Sequence, residues 1–262
     1  MPQTTVGDAT LYYERNGRGE TVVFVGDAGF GPWQWGWQVG PLASWFETVV
    51  WDHRGVGRSP GPATDSVEAM VADLEAVLRT VDARRAHVVG AGLGGMVALE
   101  YVRQHSRAAS LVLFNTAATG EAVDRDSLAA LHPVTDEEGA IRDSLTNAFS
   151  EGFLQTATDT VTQICEWRRA EDGGPAAVRA HIEAMCSFEA GPLHELSVPT
   201  LVCHGVDDPV VAQAAGRELA AGLPRGSFEP VEGRHLCFAE YARAVNDRLL
   251  GFLDEQGRDR ER

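Results

Sequence analysis

Short apolar runs alternate with segments of helical periodicity along most of the chain. The clearest apolar runs lie at 21–25, 48–51, 87–89, 109–114 and 199–203. Such continuous runs are typical of strands that are buried on both faces. Because segments of helical spacing, such as 67–81 and 241–253, separate or follow these runs, the pattern predicts an α/β fold. We expect a mostly parallel sheet with helices on both faces.

Residues 119–192, which we call the cap segment, interrupt this alternation. No strand-like run occurs there, and apolar residues recur at helical spacing, as in Ile141, Leu145 and Phe149. A helical insertion between two strands predicts a lid over the carboxyl edge of the sheet, where ligand sites of α/β proteins lie. We therefore expect residues 1–118 and 193–262 to form a core domain and the cap segment to form a separate helical unit.

Composition excludes several classes of partner. The chain has 262 residues and a net charge of −16, and all of its basic residues are Arg. A chain this acidic is a poor ligand for nucleic acids and anionic membranes. The sequence shows no secretory signal and no apolar run of membrane-spanning length, and its four cysteines lack zinc-ligand spacing. We expect a cytoplasmic protein with a small-molecule substrate or ligand and neither metal nor organic cofactor; the oligomeric state is not predicted.

A glycine-rich turn follows the strand at 87–89. Residues 90–95 read Gly-Ala-Gly-Leu-Gly-Gly and lead into a helix, as in the nucleophile elbow G-x-S-x-G, but with Gly92 at the nucleophile position. The same letters also approach the dinucleotide-binding pattern G-x-G-x-x-G. That pattern requires an acidic residue after the next strand, whereas this chain has Asn115 and Thr116 there. The elbow is therefore the favoured interpretation.

Further segments follow in a recognisable order. They are residues 52–59 (Asp-His-Arg-Gly-Val-Gly-Arg-Ser), residues 199–209 (Pro-Thr-Leu-Val-Cys-His-Gly-Val-Asp-Asp-Pro) and residues 232–235 (Glu-Gly-Arg-His) before the last helix. With the elbow and the helical insertion, they make the chain resemble the α/β-hydrolase superfamily over nearly its whole length. The resemblance implies that His235 is the catalytic base and Asp208 the catalytic acid, with Asp207 as the second choice.

Two departures from the family's pattern define the chemical question. Gly92 stands where hydrolases carry Ser, Cys or Asp, and the loop that usually contributes to the oxyanion hole reads Gly26-Asp27-Ala28-Gly29. The backbone N–H groups of Leu93 and Ala28 are the predicted oxyanion donors. The absence of a side chain at Gly92 is expected to leave room for water or substrate.

Asp27 is unexpected beside an oxyanion hole, since its carboxylate would repel a developing negative charge. Three roles remain open: a substrate ligand, a second acid–base partner for His235, or an Asx turn that stabilises the loop. Trp33 is expected to face the pocket. Cys237, two residues after His235, is expected to be a buried and inert thiol.

Three functions follow from these features. The favoured one is an enzyme that acts on a small organic ester, lactone or carbonyl-type substrate through a His235–Asp208 general base and a backbone oxyanion hole, without a Ser nucleophile. The second is an inactive, receptor-like module that binds a small molecule. The third is a conventional esterase or lactonase that was altered at residue 92, or whose nucleophile is Asp27 or Cys237.

The acid excess yields the first testable prediction. A GC-rich genome explains the missing Lys, but only a halophilic origin also explains 38 acidic residues, because a carboxylate-rich surface stays hydrated in concentrated salt. We expect the melting temperature to rise as KCl increases from millimolar to multimolar concentration, measured by differential scanning fluorimetry. A melting temperature that stays constant or falls would contradict the halophilic interpretation.

Overall fold

The computed structural model describes residues 2–133, 135 and 137–258. Within this part of the chain the strands are β1 (Gln3–Val6), β2 (Ala9–Gly17), β3 (Thr21–Val25), β4 (Glu47–Trp51), β5 (Ala86–Ala91), β6 (Ala108–Phe114), β7 (Thr200–Gly205) and β8 (Gly226–Val231). The helices are α1 (Gly36–Leu42), α2 (Val67–Thr80), α3 (Leu93–Gln104), α4 (Arg125–Ala130), α5 (Glu138–Ser144), α6 (Glu151–Thr156), α7 (Thr158–Glu171), α8 (Pro175–Cys186), α9 (Gln213–Gly222), α10 (Cys237–Glu240) and α11 (Ala242–Arg258).

The strands form one sheet in the order β1-β2-β4-β3-β5-β6-β7-β8. β1 and β2 pair antiparallel around Gly7, which has a φ of +57°, and β2 also runs antiparallel to β4. From β4 to β8 every neighbouring pair is parallel. The apolar runs form the central strands, whose residues are buried throughout in β3, β5 and β7. The predicted α/β-hydrolase architecture is confirmed.

Helices α4 to α8 all lie between β6 and β7, within the cap segment. Its contacts with the sheet's carboxyl edge include a hydrogen bond of 2.8 Å from the Gly173 N–H to the carbonyl of Gly29. The division into a core domain and a cap, and the lid role, remain predictions. Met1, Val134, Asp136 and residues 259–262, which fall within that predicted division, lie outside the described residues.

Two helix ends differ in detail from the sequence patterns. The segment 65–68 suggests a helix cap at Asp65, but Ser66 caps α2 by accepting a hydrogen bond from the Ala69 N–H. The final helical pattern, at 241–253, corresponds to α11, which begins at Ala242, and the short helix α10 precedes it. None of the helices in the described ranges combines the length and the apolar character required to cross a bilayer.

The elbow brings α3 very close to the sheet. A methyl group on Gly94 would overlap the carbonyl oxygen of Val25 and lie 2.6 Å from that of Gly26, and one on Gly90 would lie 2.7 Å from the Gly95 nitrogen. Contacts this short with backbone atoms cannot be relieved by turning a side chain. The small residues therefore place the first turn of α3 against the loop that follows β3.

This close approach predicts that Gly94→Ala destabilises the protein by about 1–3 kcal/mol, because the added methyl group must displace backbone. Gly251→Ala is the matched control, since Gly251 is an exposed residue of α11 with no atom near its missing side chain. The control should stabilise the protein by about 0.5–1 kcal/mol. Urea unfolding of both variants measures the difference, and equal stability would contradict the packing argument.

Candidate active site

Four loops at the carboxyl edge of the sheet supply the predicted site residues. Asp27 follows β3, Gly92 follows β5, Asp208 follows β7 and His235 follows β8. In parallel sheets these loops meet at one edge, which is where ligands bind. Asp27 and His235 are 0% and 1% exposed, and Asp208 is 9% exposed. The structure therefore brings the four residues together in a site closed to solvent.

Gly92 has a φ of +49° and a ψ of −114°, and it caps the N-terminus of α3. Its N–H donates to the Phe114 carbonyl over 2.9 Å, and its own carbonyl accepts from the Thr116 hydroxyl over 2.7 Å. A methyl group at residue 92 would overlap Asp27 Oδ1 and lie 2.6 Å from Asp27 Oδ2. The space that the sequence predicts for water or substrate is thus filled by the Asp27 carboxyl group.

The Asp27 carboxylate occupies the predicted oxyanion hole. Its Oδ1 accepts hydrogen bonds from the Ala28 N–H over 2.7 Å and from the Leu93 N–H over 2.8 Å. The Leu93 N–H belongs to the first residue of α3, and a helix N-terminus stabilises an anion. The two donors lie where the sequence predicts them, but they hold a group of the protein itself. An Asx turn would instead bond to the N–H two residues later.

His235 lies between two carboxylates. Its Nε2 is 2.8 Å from Asp27 Oδ2, and its Nδ1 is 2.9 Å from Asp208 Oδ2. Burial alone would lower the pKa of His235, but the charges and hydrogen bonds of Asp208 and Asp27 outweigh it and raise this pKa to about 10. Since both ring nitrogens face acceptors, the arrangement fits an imidazolium that donates on both sides.

Asp208 is held in place from its own loop. Its Oδ1 accepts from the backbone N–H groups of Val210 and Val211 over 2.8 and 3.2 Å. Burial alone would raise the pKa of Asp208, but the nearby charges and hydrogen bonds of His235 and His204 dominate and lower it to about 2. Asp207, the second choice for the catalytic acid, is exposed and lies outside this array.

Asn115 positions the His235 loop, a role that the sequence pattern does not predict. It has a φ of +48°, and its side-chain N–H groups donate to the carbonyls of Arg234 and His235. Its Oδ1 accepts from the Gly205 N–H over 2.9 Å, which links the ends of β6 and β7. The available signal was a polar residue directly after a buried strand, at the edge where the site lies.

Three further histidines surround the loop 26–29. His53 Nε2 donates to the Gly26 carbonyl and His181 Nδ1 accepts from the Gly29 N–H, both over 3.0 Å. Burial lowers the pKa of each ring, to about 3 for His132. Periodicity could not single out His132 and His181, which are isolated polar residues of the cap segment. Within the described ranges, no group of three or more His, Cys, Asp or Glu residues could hold a metal ion.

Trp33 and Cys237 contribute packing around the site. The indole N–H of Trp33 donates to Asp172 Oδ1 over 2.7 Å, so this residue lies between the loop after β3 and the cap segment. Burial raises the pKa of the Cys237 thiol well above its usual value. The thiol is near the amide group of Asn115 rather than in the line of Asp27, His235 and Asp208. A thiolate, the reactive form, is therefore disfavoured at Cys237.

Comparison with known proteins matches residues 22–248 to the model of the alpha/beta hydrolase family. The protein "Putative carbamate hydrolase RutD" of Azorhizobium caulinodans is 27% identical, over 97% of this chain and 99% of its own length. The "3-oxoadipate enol-lactonase 2" of Acinetobacter baylyi is 24% identical over 92% of each chain.

A solved structure shows the same fold. The crystal structure of the enol-lactonase from Burkholderia xenovorans LB400 superposes with a TM-score of 0.85 at 23% identity, over 97% of this chain and 100% of that one. The matched residues include the parallel part of the sheet from β3 to β8, the cap segment and the loops that carry Asp27, Gly92, Asp208 and His235. The chain therefore belongs to the alpha/beta hydrolase family.

Proposed function

We propose that the protein is a hydrolase of small organic esters, lactones or carbamates in which Asp27 and His235 perform the proton transfers, Asp208 orients the His235 ring, and residue 92 contributes no side chain. The observation that carries the proposal is the His235 imidazole held between two buried carboxylates at the carboxyl edge of the sheet. The substrate class is taken from relatives whose names state carbamate hydrolysis and enol-lactone cleavage.

The charge of His235 determines how such a reaction begins. With a pKa of about 10, the ring is an imidazolium at neutral pH and supplies a proton. The proton acceptor of the resting site is then the Asp27 carboxylate. His235 becomes a general base when Asp27 loses its negative charge or moves away, because one of the two charges that hold the proton on the ring is then gone.

The oxyanion hole imposes a second condition. A substrate carbonyl can accept from the Ala28 and Leu93 N–H groups only after Asp27 Oδ1 has left them. The site is also buried beneath the cap segment, so substrate entry requires cap contacts such as that of His181 with Gly29 to separate. Catalysis on a substrate carbonyl therefore couples cap opening to movement of the Asp27 side chain.

A binding function is the second candidate, and the occupied hole is the observation that favours it. All the polar atoms of the Asp27 carboxylate and the His235 ring have partners within the protein. A receptor needs no group poised for attack, and a closed cap over such a site would suit ligand-dependent movement. A ligand that raises the melting temperature and is recovered unchanged would support this function.

The charge of His235 gives a prediction that needs no substrate. Long-range ¹H–¹⁵N NMR should show the His235 ring protonated throughout pH 6–9, since the pKa is about 10, while the His181 ring stays neutral. Asp27→Asn should lower the pKa of His235 because it removes one of the two charges. Because the pKa of His235 is higher in the folded protein than its unfolded value of about 6.5, protonation of this ring stabilises the folded state. The stabilisation is complete below about pH 6.5 and is lost as the pH rises towards 10. A His235 ring that titrates near pH 6.5 in the wild type would contradict the assignment.

Activity should depend on Asp27 and residue 92 as a pair. On a panel of short esters, lactones and carbamates, His235→Ala and Asp27→Asn should each lower kcat/KM by about 10³-fold, as expected for loss of a group that transfers a proton. Gly92→Ser alone should be inactive and destabilised, because its Cβ overlaps the Asp27 carboxyl group. Asp27→Ala/Gly92→Ser should gain esterase activity, since the double variant frees the hole and restores a hydroxyl.

Gly251→Ala serves as the folded control in this panel, and circular dichroism checks each variant. Unchanged turnover in His235→Ala would refute the proposal. Esterase activity in Gly92→Ser alone would show that the Asp27 side chain does not exclude a side chain at residue 92.

A further inference from the structure

We propose that Asp27 is a covalent nucleophile: its Oδ2 attacks a saturated carbon that bears a leaving group, and the rest of the site hydrolyses the resulting alkyl ester. The inference rests on the proposed function for its use of His235 and Asp208, and it goes beyond it in substrate class. The substrate is a small alkyl compound whose leaving group departs as an anion, such as a primary alkyl halide.

The direction of the oxyanion hole carries this inference. The Ala28 and Leu93 N–H groups point at Oδ1 of Asp27. If water adds to Cγ of an Asp27 ester, the negative charge develops on Oδ1, which already lies between these two donors. Preorganised donors at the atom that becomes charged usually make the largest single contribution to the rate of acyl transfer. The oxyanion that these two donors are placed to stabilise is therefore the one that forms when water adds to Cγ of Asp27.

The two oxygens of Asp27 are not equivalent, which fits a binding role in the hole for Oδ1 and nucleophilic attack by Oδ2. Oδ1 accepts two backbone hydrogen bonds, whereas Oδ2 accepts one, from His235 Nε2. A carboxylate oxygen has two lone pairs, so Oδ2 retains one for attack. Carboxylates serve as nucleophiles in enzymes that form ester intermediates. Gly92 completes the arrangement, because any side chain there would overlap the Asp27 carboxyl group.

In the first step, the bond from Oδ2 to the alkyl carbon forms as the bond from that carbon to the halogen breaks, and the halide leaves with the electron pair. Asp27 becomes a neutral ester. His235 then faces only one carboxylate, so its Nε2 proton passes to solvent, and this is the proton that the overall hydrolysis releases.

In the second step, neutral His235 accepts a proton from water as the hydroxide adds to Cγ of Asp27, and Oδ1 carries the negative charge in the hole. Collapse breaks the bond from Cγ to Oδ2, and His235 returns the proton to the departing alcohol. The new carboxylic acid passes its proton to His235, which restores the Asp27 carboxylate and the imidazolium. The sum is alkyl halide and water giving alcohol, halide and a proton.

The origin of the oxygen atom in the alcohol product tests the mechanism. The wild-type protein, in excess over 1-bromobutane, is allowed one turnover in H₂¹⁸O. We expect ¹⁸O in the carboxyl group of the peptide that contains Asp27 and ordinary oxygen in the first butanol formed, because that oxygen comes from Oδ2. In a chymotryptic digest, the peptide that contains Asp52 is the internal control, since this carboxylate is also buried but lies outside the array.

A variant isolates the intermediate. His235→Gln should release about one bromide per protein molecule and retain one butyl group on Asp27, removable by hydroxylamine, because the base for the second step is missing. Hydroxylamine also distinguishes this ester from a stable thioether on a cysteine. Asp27→Asn should release bromide at least about a hundredfold more slowly and carry no butyl group.

Two results would overturn the inference: ¹⁸O confined to the butanol, which means direct attack by water, or absence of both bromide release and butylated Asp27. If His235→Gln does not fold, the wild-type isotope result decides alone. The ester, lactone and carbamate panel is scored separately. Turnover of that panel that depends on His235, without an ester on Asp27, would reject the nucleophile and leave the proposed function standing.

Discussion

The buried carboxylate of Asp27 is the constraint on which the rest of the site depends. A carboxylate that is 0% exposed requires compensation from hydrogen bonds and opposite charge. Two backbone N–H groups, one of them at the start of α3, and the His235 ring provide it. The same carboxylate explains Gly92, since no side chain fits at that position while Asp27 lies in the hole. The missing nucleophile and the added acid are therefore one structural feature.

The buried acidic residues fall into two groups, those beside His235 and those that stabilise the turn at 52–59. Among the described residues the buried carboxylates are Asp27, Asp52, Asp73 and Asp208. Asp27 and Asp208 flank His235, whereas Asp52 accepts from the Arg58 N–H over 2.7 Å and so fixes the turn at 52–59. Asp73 pairs with Arg54 of the same turn. One of the motifs that carry the family resemblance thus stabilises the fold, whereas the turn that contains Asp208 contributes to the candidate active site.

The sequence was sufficient to predict the fold. It also predicted that Asp208 and His235 lie together, because parallel strands bring their carboxyl ends to one edge of the sheet. It also located the donors Ala28 and Leu93. It could not predict that Asp27 fills the hole, since this depends on a contact between residues 66 positions apart and on the side-chain rotamer of Asp27. Asn115 and His181 were missed because an isolated polar residue carries no periodic signal, although each bonds to a loop of the site.

The position of the carboxylate changes the chemistry more than the loss of a hydroxyl would. In a Ser-His-Asp triad the imidazole has one carboxylate partner and takes the serine proton as it begins the reaction. Here a second carboxylate lies where that hydroxyl would stand, so the imidazole begins the cycle with its proton already bound. Such a site can act as a base only after the charge on Asp27 has been removed or displaced. In the proposed reaction, esterification of Asp27 removes that charge just before a base is required. The resting ion pair and the later action of His235 as a base are then compatible.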